Sequence, residues 1–156
     1  MNRYMILFLL SFAVSLTAVA QGENAIRRRN FNTENFIALR EFDAVSYFQN
    51  RPVKGDPKFQ YDYQGIVYYF ANDANLAEFK KSPAKYEPVY GGWCAYTVAT
   101  TGERVRVDPK AYKIIDGKLH LFYNFSGDNR LKKWEANKTP KNLKTTGDKN
   151  WVKRMH

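Results

Sequence analysis

Cysteine and histidine are nearly missing from this chain of 156 residues, which has one of the first and two of the second. A single cysteine excludes an intramolecular disulfide framework and a zinc finger built on thiolates alone. Two histidines, one of them the final residue His156, leave little for a His-rich metal site or a catalytic triad. No Gly-x-Ser-x-Gly elbow, Gly-rich phosphate loop or dinucleotide fingerprint is present. A nucleophile needs a base within hydrogen-bond reach, and only His120 is available for that role. The carboxylates Asp43, Asp62, Asp108 and Asp116 are scattered along the sequence. The chain therefore reads as a protein that is not an enzyme. A membrane span is also missing, because the apolar run Met5 to Leu16 falls short of the roughly 20 residues a bilayer requires.

That short run has a different meaning. It follows Asn2-Arg3 and precedes the small residues Ala18-Val19-Ala20, with polar Gln21 to Asn24 next. This is the layout of a secretory signal peptide cleaved near Ala20, so a periplasmic or secreted location is expected. The rest divides into a flexible N-terminal segment (21–35), a folded domain (36–137) and a basic C-terminal tail (138–156). Hydrophobic residues at 44% and aromatics at 16% suffice to fill the core of one small domain.

The chain carries a formal charge of +10, unevenly spread. Residues 31–125 hold 12 basic and 11 acidic side chains, whereas residues 126–156 hold 9 and 3. A nucleic-acid binder concentrates its basic residues on a folded face, so no nucleic-acid partner is expected. The basic flanks read as solvated segments that make weak contact with anionic envelope surfaces.

In the body, Ile37 to Phe48 suggests a short helix leading into a strand. Phe59, Tyr61 and Tyr63 alternate with polar residues, and Gln64-Gly65 joins them to Ile66–Phe70 as a tight hairpin. Asn72 or Asp73 caps a helix with Leu76 and Phe79 on its inner stripe, ended by Ser82-Pro83. Asp116-Gly117 predicts a second hairpin, joining Ala111–Ile115 to Lys118–Tyr123. A helix around Asp128 to Asn137 follows, and Trp151 is placed to anchor the polar tail. No internal repeat stands out. The fold class is α+β, a single domain of antiparallel hairpins with short packed helices.

The stretch from Tyr63 to Tyr86, Y-x-G-x-x-Y-Y-F followed by Phe79, Pro83 and Tyr86, resembles the YHS domain family and the related TRASH-type metal modules. The segments FDAVSYF (Phe42 to Phe48), YEPVYGGWCAY (Tyr86 to Tyr96), VDP (Val107 to Pro109) and IIDGKLHLFYN (Ile114 to Asn124) extend the resemblance to an exported, stand-alone branch. Metal-binding members carry cysteines at positions that the resemblance maps onto Ser46, Ala71 and Asn75. None of these is a thiol, and soft metals and structural zinc rely on thiolates. The resemblance therefore implies a binding or accessory module without cofactor, its thiolate site lost.

Other chemistry falls to a few residues. Cys94 reads as a small buried apolar residue or as a reactive thiol. His120 faces away from Leu119 and Leu121, towards solvent or a second layer. Together Cys94 and His120 are the candidate pair for copper or zinc, with Tyr90, Tyr96 or Asp108 needed to complete the shell. Tyr90, Trp93 and Tyr96 form the candidate ligand-binding face, for a small ligand or an envelope protein.

Overall fold

Two hairpins of aromatic and β-branched residues, each turning on a pair of left-handed residues, organise the molecule. The structure, a computed structural model, describes residues 21–155, so the signal segment 1–20 and His156 lie outside the described residues. Strand β3 (Asp56–Tyr63) pairs antiparallel with β4 (Ile66–Phe70) through Gln64 (φ 52) and Gly65 (φ 82). Strand β5 (Asp108–Ile115) pairs antiparallel with β6 (Lys118–Phe122) through Asp116 (φ 51) and Gly117 (φ 70). Two successive positive φ angles make the turn type that matches the twist of the flanking strands. On the first hairpin, β1 (Thr33–Glu34) and β2 (Ile37–Ala38) extend the sheet in the order β1-β2-β4-β3.

Helix α2 (Asp73–Lys81) starts where the Asn72 side chain accepts the Asn75 N–H, and its C-cap is Ser82. Its inward residues are Asn75 and Phe79, with Leu76 only partly covered. Phe79 is fully buried against Tyr68 and Phe70. Helix α3 (Pro83–Tyr86) follows at once, then α4 (Ala95–Thr101). After the short ribbon β7 (Asn124–Phe125) and β8 (Asp128–Asn129) comes α5 (Arg130–Glu135), which buries Trp134. The architecture is α+β, one domain of small antiparallel sheets and short helices. Between Ile37 and Phe48 the expected helix-to-strand order is reversed: strand β2 comes first, followed by 3-10 turns at Leu39–Glu41 and Ser46–Gln49.

The terminal segments differ from a flexible lead and a loose tail. Residues 21–30 are helical (α1), and Pro140–Met155 is one helix, α6. Arg27 and Arg28 of α1 donate to the carbonyls of Gln64 and Gly65 at 3.2 and 3.0 Å, and Arg27 also pairs with Glu87. Helix α6 packs through Trp151 on Phe31 and Tyr90. Its Gly147 lets Tyr90 approach so closely that a Cβ there would lie 2.7 Å from the tyrosine oxygen. Part of the basic charge read as solvated is thus spent on holding the first hairpin.

The chain also repeats itself. Asp56-Pro57-Lys58, Gly65 and Phe70 recur in step as Asp108-Pro109-Lys110, Gly117 and Phe122. Each leading aspartate caps the N–H of its lysine, at 3.0 and 2.9 Å, and each hairpin slips register just beyond it. Upstream, Ile37 makes a parallel bridge to Val67, and Pro88 makes the corresponding one to Leu119. A left-handed turn follows each bridge, Leu39–Glu41 (φ 57, 50, 71) and Tyr90–Gly92 (φ 54, 59, 82). An internal repeat escaped sequence reading because few identities survive and one extra residue interrupts the interval before the second hairpin.

Candidate functional site

Asp43 is the centre of the first repeat, and it is fully buried. Its Oδ1 accepts the backbone N–H groups of Val45 and Ser46 at 2.8 and 3.3 Å. Its Oδ2 accepts the Ala71 N–H at 2.9 Å and the Asn75 side-chain amide at 2.6 Å. Burying a carboxylate is costly unless hydrogen bonds replace its water, and here four donors do so. The supporting groups are themselves satisfied. Ser46 Oγ donates to the Asp43 carbonyl at 2.6 Å and accepts the Val53 N–H at 3.1 Å, and Asn75 Oδ1 accepts from Gln49 at 3.0 Å.

Sequence reasoning passed over Asp43 as one of several scattered carboxylates. The available signal was its place between apolar residues in Phe42-Asp43-Ala44-Val45, followed by Ser46, the pattern of a side chain that caps the turn after it.

Ser46, Ala71 and Asn75, the three positions mapped onto the relatives' cysteines, therefore meet around one carboxylate. Ala71 and Asn75 present N–H groups towards it, and an N–H donor cannot ligate a cation. Ser46 Oγ is already engaged on both sides. This donor set does not suit a soft metal, which selects thiolate or imidazole ligands.

The second repeat holds a counterpart. Cys94 is fully buried where Asp43 sits in the first copy. Asp43 N–H donates to Val53 O at 2.9 Å, and Cys94 N–H donates to Val105 O at 3.0 Å. Just past the second strand of each hairpin, Ala71 N–H reaches the carboxylate and Tyr123 N–H reaches the thiol sulfur at 3.3 Å. Thr97 takes the place of Ser46, and its hydroxyl accepts from Arg130, whose Nε also donates to Asp128 at 3.0 Å.

His120 faces the other way. Cys94 bridges Leu121 and packs with Leu119 and Leu121 in the larger apolar cluster. The His120 ring lies 6.0 Å from both the Tyr90 and Trp134 rings, in the layer beneath α5 and α6. Its Nδ1 lies 3.0 Å from the Lys118 carbonyl, and Nε2 has no partner among the described residues. Burial pushes its pKa below the ordinary histidine value, partly opposed by that carbonyl. Among the described residues, no group of three or more His, Cys, Asp or Glu side chains is placed to hold a metal ion. Asp108 is engaged with Lys110 and Asn124.

The three candidate ligand-face aromatics all belong to the smaller apolar cluster, each with a different polar or packing neighbour. Tyr90 is buried, and its hydroxyl bonds to Asp148 at 3.0 Å under α6. Trp93 donates its indole N–H to the Asn30 carbonyl at 2.6 Å beside α1. Tyr96 packs partly buried between the two apolar clusters.

Compared with protein families, residues 45–90 match the model of the YHS domain. The chain carries a YHS domain. No curated protein and no solved structure matches the chain. The YHS domain so matched runs from Val45, next to the carboxylate centre, through the first hairpin, α2 and α3, to Tyr90. The second repeat and α6 lie beyond it. Among the described residues, no helix is long and apolar enough to cross a membrane.

Proposed function

We propose that this protein is an exported, non-catalytic binding or accessory module of YHS type, in which a buried carboxylate centre replaces the thiolate metal site of its relatives. One observation carries the reading: Ser46, Ala71 and Asn75 are all engaged with Asp43. A carboxylate with four donors holds β4, α2 and the turn before them together, the mechanical task that a metal performs in small domains. The signal-like start supports export, and the burial of His120, the one candidate base, on the face of β6 opposite Cys94 supports a role without catalysis. In this reading the protein needs no cofactor, and its partner is a small ligand or an envelope protein.

The test is metal content of the purified chain before and after exposure to Cu(I), Cu(II) and Zn(II), beside a Ser46→Cys/Ala71→Cys/Asn75→Cys variant. The expected result is no stoichiometric metal in the natural chain and a gain in the variant. About one tightly held metal per natural chain overturns the reading. Loss of that metal in a Cys94→Ala variant then points to copper or zinc handling at Cys94. N-terminal sequencing of the exported protein checks cleavage near Ala20.

A further inference from the structure

Where α1, α4 and α6 end side by side, four cations from three separate parts of the chain surround one groove. Arg29 and Asn30 come from the end of α1, Arg104 from the loop after α4, and Lys153 and Arg154 from the end of α6. Two adjoining hollows of about 370 and 490 Å³ share Asn30 and Arg154. We infer that this groove binds a tetrahedral oxyanion of the phosphate class.

Two of the guanidinium groups are already positioned. Arg104 Nη1 donates to the Arg29 carbonyl at 3.0 Å and to Asn30 Oδ1 at 3.4 Å, and its guanidinium lies 5.6 Å from the Trp93 ring centroid. Arg154 Nη2 donates to the Gly102 carbonyl at 3.0 Å. An arginine has five N–H donors in a planar fork that matches phosphate oxygens. Each therefore keeps most of its donors for a ligand while its plane is held, which lowers the ordering cost of binding.

The helix ends explain only part of this charge. A helix C-terminus carries roughly −0.5 of an elementary charge, so three of them offset at most about −1.5. The four cations make no ion pair with Asp or Glu among the described residues, whose ion pairs lie elsewhere. Glu103, next to Arg104 in sequence, does not line the groove. At least about 2.5 positive charges are left over by this count, which a doubly charged anion balances better than a single carboxylate. The groove is separate from the Asp43 centre, and the inference is independent of the metal-site reading.

The test uses the full chain. Calorimetric titration with inorganic phosphate and pyrophosphate reads the free anion, and flotation with phosphatidylglycerol against phosphatidylcholine vesicles reads a lipid headgroup. Arg104→Gln and Arg154→Gln are each expected to weaken binding about tenfold, the factor that loss of one charge-assisted contact produces. Lys153→Gln is expected to weaken it about threefold. Its ammonium makes no hydrogen bond among the described residues, so this variant keeps the test valid if an arginine variant unfolds. Lys132→Gln on α5 removes the same charge outside the groove and is expected to change nothing. Groove-dependent binding of free phosphate supports the inference with a soluble ligand, and groove-dependent binding of vesicles alone supports it with a lipid headgroup. Binding of neither, or equal weakening by Lys132→Gln, overturns it.

Discussion

The two repeats share a backbone and differ in what they bury at its centre. In the first, Asp43 gathers four N–H donors. In the second, Cys94 accepts one backbone N–H, packs with Leu119 and Leu121, and lies beside the Arg130 guanidinium. The frame needs an acceptor for the N–H that follows each hairpin, and either a carboxylate or a thiol meets that need. What differs is how much else depends on the group. The first centre ties β4 and α2 together through hydrogen bonds, whereas the second half relies on Trp134, Trp151 and the terminal helices covering an apolar layer.

That contrast can be broken most directly at Asp43. Asp43→Ala strands four donors, and unsatisfied buried groups cost about 1–3 kcal/mol each before the site relaxes. A loss of about 3–5 kcal/mol is expected in urea unfolding, and a loss under about 1 kcal/mol would show that the carboxylate is not an organising group. Cys94→Ala forfeits one weak acceptor and some packing, so about 1–2 kcal/mol is expected from the same measurement.

Gly147→Ala comes next. Helix propensity alone favours alanine by about 1 kcal/mol, but the new methyl would meet the buried Tyr90 ring and hydroxyl at 2.9 and 2.7 Å. A net loss of about 1 kcal/mol is expected. A thermal melt that rises instead would mean that α6 is not seated on Tyr90.

His120 sharpens the comparison through pH. Its pKa is held below the ordinary 6.5 by burial, so the unfolded chain takes up a proton that the folded one refuses. Stability is expected to hold above about pH 6.5 and to decline as pH falls from there towards the lowered value. His120→Phe is expected to flatten that part of the profile, and an unchanged slope in chemical unfolding across this window would count against it. The smallest effect is at the left-handed turns. The second copy places Gly91 and Gly92 where the first has Arg40 and Glu41 at φ 50 and 71. A left-handed conformation costs a non-glycine residue roughly 1–2 kcal/mol, against about 0.5–1 kcal/mol of extra entropy lost by glycine. Arg40→Gly is expected to raise stability by about 0.5 kcal/mol, seen as a higher melting temperature, and a lower one would show that Arg40 is held there without strain.

Much of the local structure was legible in advance. Gln64-Gly65 and Asp116-Gly117 announced both hairpins, because few residues accept two positive φ angles in succession. Asn72 and Ser82-Pro83 bounded α2 for equally local reasons. Ile37 to Phe48 misled, since its left-handed turn is imposed by the pairing of Ile37 with Val67 and carries no glycine to betray it. The tail was misread because α6 gains its place from contacts of Trp151 and Gly147 with residues far away in the chain. The candidate site was half visible: Ser46, Ala71 and Asn75 could be located by resemblance, but not the carboxylate on which they converge.

Turn chemistry, helix caps and alternation are short-range properties, and the sequence alone determined the hairpins, α2 and the α+β class through them. It also determined that Ser46, Ala71 and Asn75 bring no thiolate. Only the tertiary structure decided that Asp43 would stand among them, that Cys94 and His120 would face opposite sides of β6, and that four cations would share one groove. Each of these outcomes depends on segments meeting across long stretches of chain. Burial and hydrogen-bond satisfaction select such meetings, and neither is written in local spacing.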